Sequence, residues 1–242
     1  MNVLILGATS DIAIACAEKY LMEGHHLSLA ARNVEQLNII AKDLEIRHDI
    51  EVNQYVFDAL DYANHDSFYN GLKDKPDIVI WAIGILGDQE EAQNSWKMSG
   101  NIIGANYTSA VSFLNIIAND FEHRGNGMII GIGSVAGDRG RQSNYIYGSA
   151  KAAFEAYLSG MRNRLVKSGV HVLTVKPGFV NTKMTAGMDL PKPLTAEPAQ
   201  VANKIAIAAM KKKNVIYVLP IWRLIMLIIK FIPEGIFKKL KL

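Results

Sequence analysis

Three residue types at one spacing could do chemistry in this chain: a serine, a tyrosine and a lysine within Ser134-Val-Ala-Gly-Asp-Arg-Gly-Arg-Gln-Ser-Asn-Tyr-Ile-Tyr147-Gly-Ser-Ala-Lys151. Residues four apart share a helix face, so the phenol of Tyr147 and the ammonium of Lys151 can point into one site. A nearby cation favours phenolate, which should lower the tyrosine pKa from its usual value of about 10 and make Tyr147 a usable proton donor near neutral pH. Ser134 follows the apolar run Met128-Ile129-Ile130 and can hydrogen-bond the same substrate oxygen. The chemistry expected of this trio is reduction of a carbonyl. A second Tyr-x-x-x-Lys pair, Tyr69 and Lys73, lacks a serine at the matching distance and lies among Asn70, Gly71 and Asp74. We expect it to be a solvated surface pair.

These groups need elements to place them. Short apolar runs predict strands at Val3–Leu6, His26–Ala31, Val52–Phe57, Ile78–Ala82, Met128–Ile132, Val170–Val175 and Val215–Leu219. Helical periodicity predicts helices over Asp11–Glu23, Val34–Glu45, Ile102–Asn119 and from Tyr147 to Val166. Strands alternating with helices argue a parallel sheet covered on both faces, and ligands of such sheets bind at the carboxyl ends of the strands. The fold class expected is α/β, a Rossmann-type doubly wound parallel sheet in a single domain.

The chain has 242 residues, of which 50% are hydrophobic and 20% charged, as in a globular protein. Its one cysteine, Cys16, excludes an internal disulfide and suits a reducing cytoplasm. The six histidines include no pair at ligand spacing, so no metal site is expected. Met1-Asn2 leads directly into a strand, which argues against a signal peptide. The net charge of +3 is concentrated: residues 219–242 carry Arg223, Lys230, Lys238, Lys239 and Lys241 against Glu234 alone. We therefore set residues 219–242, a basic, apolar tail, apart from the domain formed by 1–218.

The first strand–turn–helix reads Ile5-Leu6-Gly7-Ala8-Thr9-Ser10-Asp11-Ile12-Ala13. A glycine turn at a helix N-terminus can hold a pyrophosphate through backbone N–H groups and the helix dipole. With the Ser, Tyr and Lys downstream, the chain resembles the short-chain dehydrogenase/reductase family over residues 1 to about 218. The resemblance implies that Gly7, Thr9, Ser10, Asp11 and Ile12 form the phosphate turn. Asp11 and Ala13 replace two of its usual glycines, and Asp11 is expected to cap the helix. Ala30-Ala31-Arg32-Asn33 carries no acid for a ribose hydroxyl, and Arg32 can pair with the 2′-phosphate of NADP, so NADPH is expected over NADH. By the same resemblance Asp58 meets the adenine, and Ala82 and Gly84 border its ribose, with Trp81 replacing the usual asparagine. Pro177, Gly178, Val180 and Thr182 lie beside the nicotinamide. Asn106 on the central helix holds a proton-relay water, and Lys151 also binds the nicotinamide ribose.

The segment 183–198, with Met184 and Met188, is the expected substrate lid. Gly84-Ile85-Leu86-Gly87-Asp88-Gln89, together with the tail, resembles one subgroup of the family. In that subgroup a flavoprotein oxidase makes a 2′-keto sugar on a polyprenyl phosphate and the reductase restores the hydroxyl. An apolar stretch with Trp222 and basic residues suits a membrane interface, while packing on the domain or a sister subunit is the competing reading. A reductase of soluble acyl, steroid or small ketones, or a non-catalytic NADP-binding regulator, would have the same fold. A homodimer or homotetramer is expected, without nucleic acid.

Overall fold

A computed structural model describes residues 1–240; Lys241 and Leu242, the end of the predicted tail, lie outside them. In chain order the elements are β1 (Asn2–Leu6), α1 (Asp11–Met22), β2 (His26–Ala31), α2 (Val34–His48), β3 (Val52–Val56), α3 (His65–Asn70), β4 (Ile78–Trp81), α4 (Gln89–Asn94) and α5 (Trp96–Ile103). There follow α6 (Ser109–Arg124), β5 (Met128–Ile132), α7 (Tyr145–Leu165), β6 (His171–Lys176), β7 (Phe179–Val180), β8 (Thr195–Ala196), α8 (Pro198–Met210), β9 (Val215–Tyr217), α9 (Pro220–Phe231) and α10 (Glu234–Phe237). Seven strands form one parallel sheet in the order β3-β2-β1-β4-β5-β6-β9.

Alternation along each strand builds a core on both faces. Val3 and Ile5 of β1 face α1, α2 and α8, whereas Leu4 and Leu6 face the layer of α3, α6 and α7. The chain leaves β1 for β2 on one side and reaches β4 on the other, so a crevice opens between the carboxyl ends of β1 and β4. Gly7 makes the exit turn at φ +78°, and a Cβ there would stand 3.0 Å from the Ala82 carbonyl group.

Several elements differ from expectation. The predicted central helix begins at Trp96 as α5 and passes through a π-helical turn, Gly104–Thr108, into α6. Helix α8 was not predicted; its Ala-rich side packs on α1, while Gln200, Asn203 and Lys204 face outward. Tyr69 is not a surface residue: it is buried, and its hydroxyl donates to Asp120 (2.6 Å), while Lys73 stays exposed near Glu51.

The C-terminal segment is two-faced. On one side of α9, Trp222 and Met226 are buried against Val135, with Phe179 and Leu194 closing around them. The indole donates to the Leu194 carbonyl (3.0 Å) and meets the Phe179 ring edge-on. It lies so close to Gly178 that a Cβ there would overlap the indole nitrogen at 1.9 Å. Arg139 donates to the carbonyls of Ile229 and Ile232 at the end of α9, pairs with Glu234 (2.9 Å) and lies over the Phe237 ring. On the other side Leu224, Leu227, Ile228 and Phe231 are exposed. Trp222→Ala should therefore cost about 3–5 kcal/mol in a urea-unfolding measurement, against about 0.5 kcal/mol or less for Leu224→Ala. Equal losses would contradict this division of faces.

Candidate active site

Helix α7 brings the reactive side chains to the sheet. Tyr147, Lys151 and Glu155 are successive members of one i, i+4 stripe, and Lys151 and Glu155 are buried. Ser134 follows β5 in extended backbone (φ −167°). Its flanks continue the ladder to β6, since Gly133 N–H donates to Val175 (2.8 Å) and Val135 N–H to Pro177 (2.9 Å). Its own N–H donates to the Glu155 carboxylate at 3.0 Å. The Ser134 hydroxyl accepts from Ala136 N–H (3.1 Å), which leaves its proton free to donate.

The electrostatics correct one expectation. Burial dominates at Tyr147 and pushes the phenol up to about 12, although Ser134 and Arg141 pull it down. Lys151 does not supply the expected depression: its Nζ lies 5.8 Å from the tyrosine ring centroid and donates to the Ile132 carbonyl at 2.9 Å. Burial lowers Lys151 to about 8, against a weaker pull upward from Glu155. At neutral pH Tyr147 is thus a protonated, neutral donor.

Asn106 sits in the π-helical turn, a distortion common at functional sites. Its amide donates to Ile85 (2.7 Å) and Ile102 (2.9 Å) carbonyls, while its buried Oδ1 has no protein partner. A Cβ on Gly84 would meet Asn106 Oδ1 at 2.6 Å and Lys151 Nζ at 3.1 Å. Asparagine and lysine therefore border the same space behind Gly84.

The crevice is continuous from end to end. One end is lined by Gly7, Thr9, Ser10, Arg32, Asp58, Ala82 and Gly84. The other shares Thr9, Ser10, Ala82 and Gly84 and adds Asp11, Ile12, Ser134, Tyr147, Lys151, Pro177, Gly178, Val180 and Thr182. All the residues expected to contact a dinucleotide line this crevice, and Asn106 stands just behind it. Ser10, not Asp11, caps α1, accepting from Ala13 N–H at 3.3 Å. Asp11 instead accepts from Lys183 N–H (2.7 Å), joining the turn after β1 to the segment 183–198. Among the described residues the N–H groups of Thr9, Asp11 and Ile12 have no protein acceptor. Three unspent donors at a helix N-terminus, beside glycines whose missing Cβ atoms keep the crevice open, fit a pyrophosphate-bearing cofactor. Trp81 takes no part, because its ring is fully buried against Phe57 and Phe113.

Sequence reasoning missed Glu155, Arg141, Asn144 and Trp222 as parts of this site. Glu155 had a signal, four residues beyond Lys151 on the same face. Its other oxygen pairs with Lys176 Nζ (2.7 Å), which also pairs with Asp138 (2.7 Å). Burial opposes the Lys176 charge, but Glu155 and Asp138 hold its pKa up to about 12. Arg141, Asn144 and Trp222 line the catalytic end together with Met184 and Met188.

The comparisons with known proteins agree with this architecture. The family model for short chain dehydrogenases matches residues 1–192. An uncharacterized oxidoreductase of Mycobacterium tuberculosis is 34% identical over 241 residues, covering 98% of this chain and 96% of the relative. An uncharacterized oxidoreductase of Streptomyces coelicolor is 31% identical over 242 residues, covering 99% and 95%. Among solved structures, a short-chain dehydrogenase from Sphingobium yanoikuyae in complex with NADPH superposes with TM-score 0.82 at 26% identity, over 89% of this chain and 86% of that one. An actinorhodin polyketide ketoreductase with NADPH shares the fold at TM-score 0.80 and 20% identity, over 90% and 95%. With the family model covering most of the chain and a relative 34% identical over nearly all of it, the chain belongs to the short-chain dehydrogenases, a family of NAD(P)-dependent oxidoreductases.

Proposed function

We propose that this protein is an NADPH-dependent ketoreductase whose substrate is a ketone, a keto-sugar on a polyprenyl phosphate, made by a flavoprotein oxidase partner. The observation that carries the reductase reading is the Tyr147–Lys151 stripe facing Ser134 across the catalytic end of a dinucleotide-sized crevice. The two NADPH complexes among the structural relatives support NADP(H) as cofactor. The exposed Arg32 supports a preference for its 2′-phosphate, since it lines the adenosine end with no carboxylate partner among the described residues.

Gly7, Thr9, Ser10 and Ile12 hold the pyrophosphate, Asp58, Ala82 and Gly84 the adenosine, and Pro177, Gly178, Val180 and Thr182 the nicotinamide. The bound dinucleotide supplies a hydride. Ser134 donates a hydrogen bond to the substrate oxygen and fixes it beside the phenol. Tyr147 gives that oxygen its proton as the carbonyl carbon accepts the hydride, which yields a secondary alcohol. Lys151 holds the nicotinamide ribose and keeps a cation at the reacting end of the site. Asn106 Oδ1 orients the lysine end of a proton path to solvent.

The apolar substrate is supported by the walls of the site. Val135, Phe179, Met184, Met188 and Trp222 line the catalytic cavity. Helix α9 lends Trp222 to that wall while exposing Leu224, Leu227, Ile228 and Phe231 beside Arg223 and Lys230, a pattern suited to an anionic lipid surface. Among the described residues no helix is long and apolar enough to cross a membrane.

Tyr147→Phe should abolish ketone reduction while NADPH affinity stays within a few-fold, measured by fluorescence titration. Activity near wild type would mean the proton comes from elsewhere. Arg32→Ala should weaken NADPH about ten- to a hundred-fold with little effect on NADH; a wild type binding both equally would refute the preference. The wild-type rate should fall as pH rises through about 8, where Lys151 loses its proton, and a rate flat to pH 10 would contradict a role for the cation. Finally, wild type should sediment with anionic vesicles, less so at high salt. Leu224→Ser combined with Ile228→Ser should stay in the supernatant; unchanged sedimentation would exclude α9 as the contact.

A further inference from the structure

Arg141 is a feature of the catalytic cavity that proton transfer leaves without a use. It lies on the loop joining the Ser134 turn to α7 and lines the same cavity as Tyr147. Its Nε is buried without a hydrogen-bond partner, and among the described residues it pairs with no carboxylate. Its neighbour Arg139 shows what a satisfied guanidinium looks like here, with Glu234 and two helix carbonyls. The nearest acid in sequence, Asp138, is spent on Lys176 (2.7 Å) and on the Tyr217 hydroxyl (2.8 Å). Burial pulls the Arg141 pKa below its ordinary value, with Asp138 and the Tyr147 phenol working against that. An arginine nevertheless keeps its charge in a protein. A partly desolvated, unpaired guanidinium is costly unless an anion arrives.

Asn144 adds a second, independent observation. It occupies the N-cap of the 21-residue α7 yet makes no capping hydrogen bond, and its Oδ1 is buried without a partner. Asparagine is normally favoured at that position because its side chain does accept such a bond. Here the carboxamide is left free inside the cavity that Arg141 lines. Neither residue lines the adenosine end of the crevice, where the phosphate turn and Arg32 lie. The opposite wall is apolar, built from Val135, Phe179, Met184, Met188 and Trp222.

Resting on the ketoreductase reading, we propose that Arg141 forms an anion subsite that recognises a phosphate-class group on the ketone substrate, with Asn144 accepting from a neighbouring hydroxyl and the apolar wall taking the hydrocarbon part. A planar guanidinium matches two phosphate oxygens, and the unpartnered Asn144 Oδ1 accepts from a hydroxyl carried beside that group. The ketone to be reduced is then amphiphilic, with its anionic group close to the reacting carbonyl. Neutral ketones of equal length fit the wall but leave Arg141 unpaired.

The test uses the NADPH-loaded enzyme with octyl dihydroxyacetone phosphate and its dephosphorylated counterpart, which differ only in the phosphate. The ratio of their kcat/KM values should favour the phosphate ester, and Arg141→Ala should lower that ratio about ten- to a hundred-fold, with Arg141→Lys intermediate. Calorimetric binding of octyl phosphate to the NADP-loaded protein should weaken by a similar factor in Arg141→Ala. An unchanged ratio, or octyl phosphate affinity within threefold of wild type, would overturn the subsite. Equal loss on both ketones would do the same and make Arg141 an electrostatic partner of Tyr147. Octyl phosphate bound through Arg141 with no turnover of either ketone would keep the subsite and overturn the reductase reading.

Discussion

The catalytic end depends on one buried carboxylate. Glu155 accepts the Ser134 N–H with one oxygen and pairs with Lys176 through the other, so α7, β5 and β6 converge on a single side chain. A carboxylate so enclosed is strongly disfavoured unless its oxygens are satisfied. Burial raises the Glu155 pKa, and Lys176 with the Ser134 amide resists the rise. Gly133 and Gly137 provide the room, since a Cβ on Gly133 would stand 2.5 Å from Glu155 Oε1 and one on Gly137 would meet the Ala152 N–H nitrogen at 2.9 Å. Through this clamp the helix that carries Tyr147 also fixes the backbone of Ser134. The pair is held together without either residue touching the other's element by main-chain bonds.

The same charge cluster reaches the C-terminal segment. Lys176 links Glu155 to Asp138, Asp138 accepts from Tyr217, and Lys230 of α9 approaches it at 3.9 Å. Next to it Arg139 caps the end of α9 by donating to the Ile229 and Ile232 carbonyls. Thus the loop between Ser134 and Tyr147 has two tasks. It seats α9, which brings Trp222 into the cavity wall, and it delivers Arg141 and Asn144 to the cavity itself. The segment 183–198 is held by Asp11 on Lys183 N–H.

The seven strands were legible because buried parallel strands are short apolar runs closed by polar or glycine turns, as at Leu6-Gly7 and Ile132-Gly133-Ser134. The Tyr147–Lys151 face followed from helical spacing, and the crevice residues from their order at strand ends. Position along the chain says little about long-range pairing. Lys183 meets Asp11 from 172 residues away, and Lys176 meets Glu155 only because β6 runs beside β5. The balance of burial against charge was also hidden, so the phenol rises where a neighbouring lysine suggested that it should fall. The tail read as either membrane-facing or packed, because its sequence is mostly apolar and broken only by Arg223 and Lys230. The structure shows one helix with a docked side and an open one.

The account's central claim is that the α7 stripe acts as a unit, with Glu155 setting Ser134 against the carbonyl that Tyr147 protonates. A double-mutant cycle on ketone kcat/KM with Glu155→Met and Ser134→Ala tests this most directly, with NADPH affinity as the check on folding. The account predicts that each change slows reduction and that the double variant is no slower than Ser134→Ala alone, with NADPH affinity retained. Losses that simply multiply would contradict it, because Glu155 would then act on something other than Ser134.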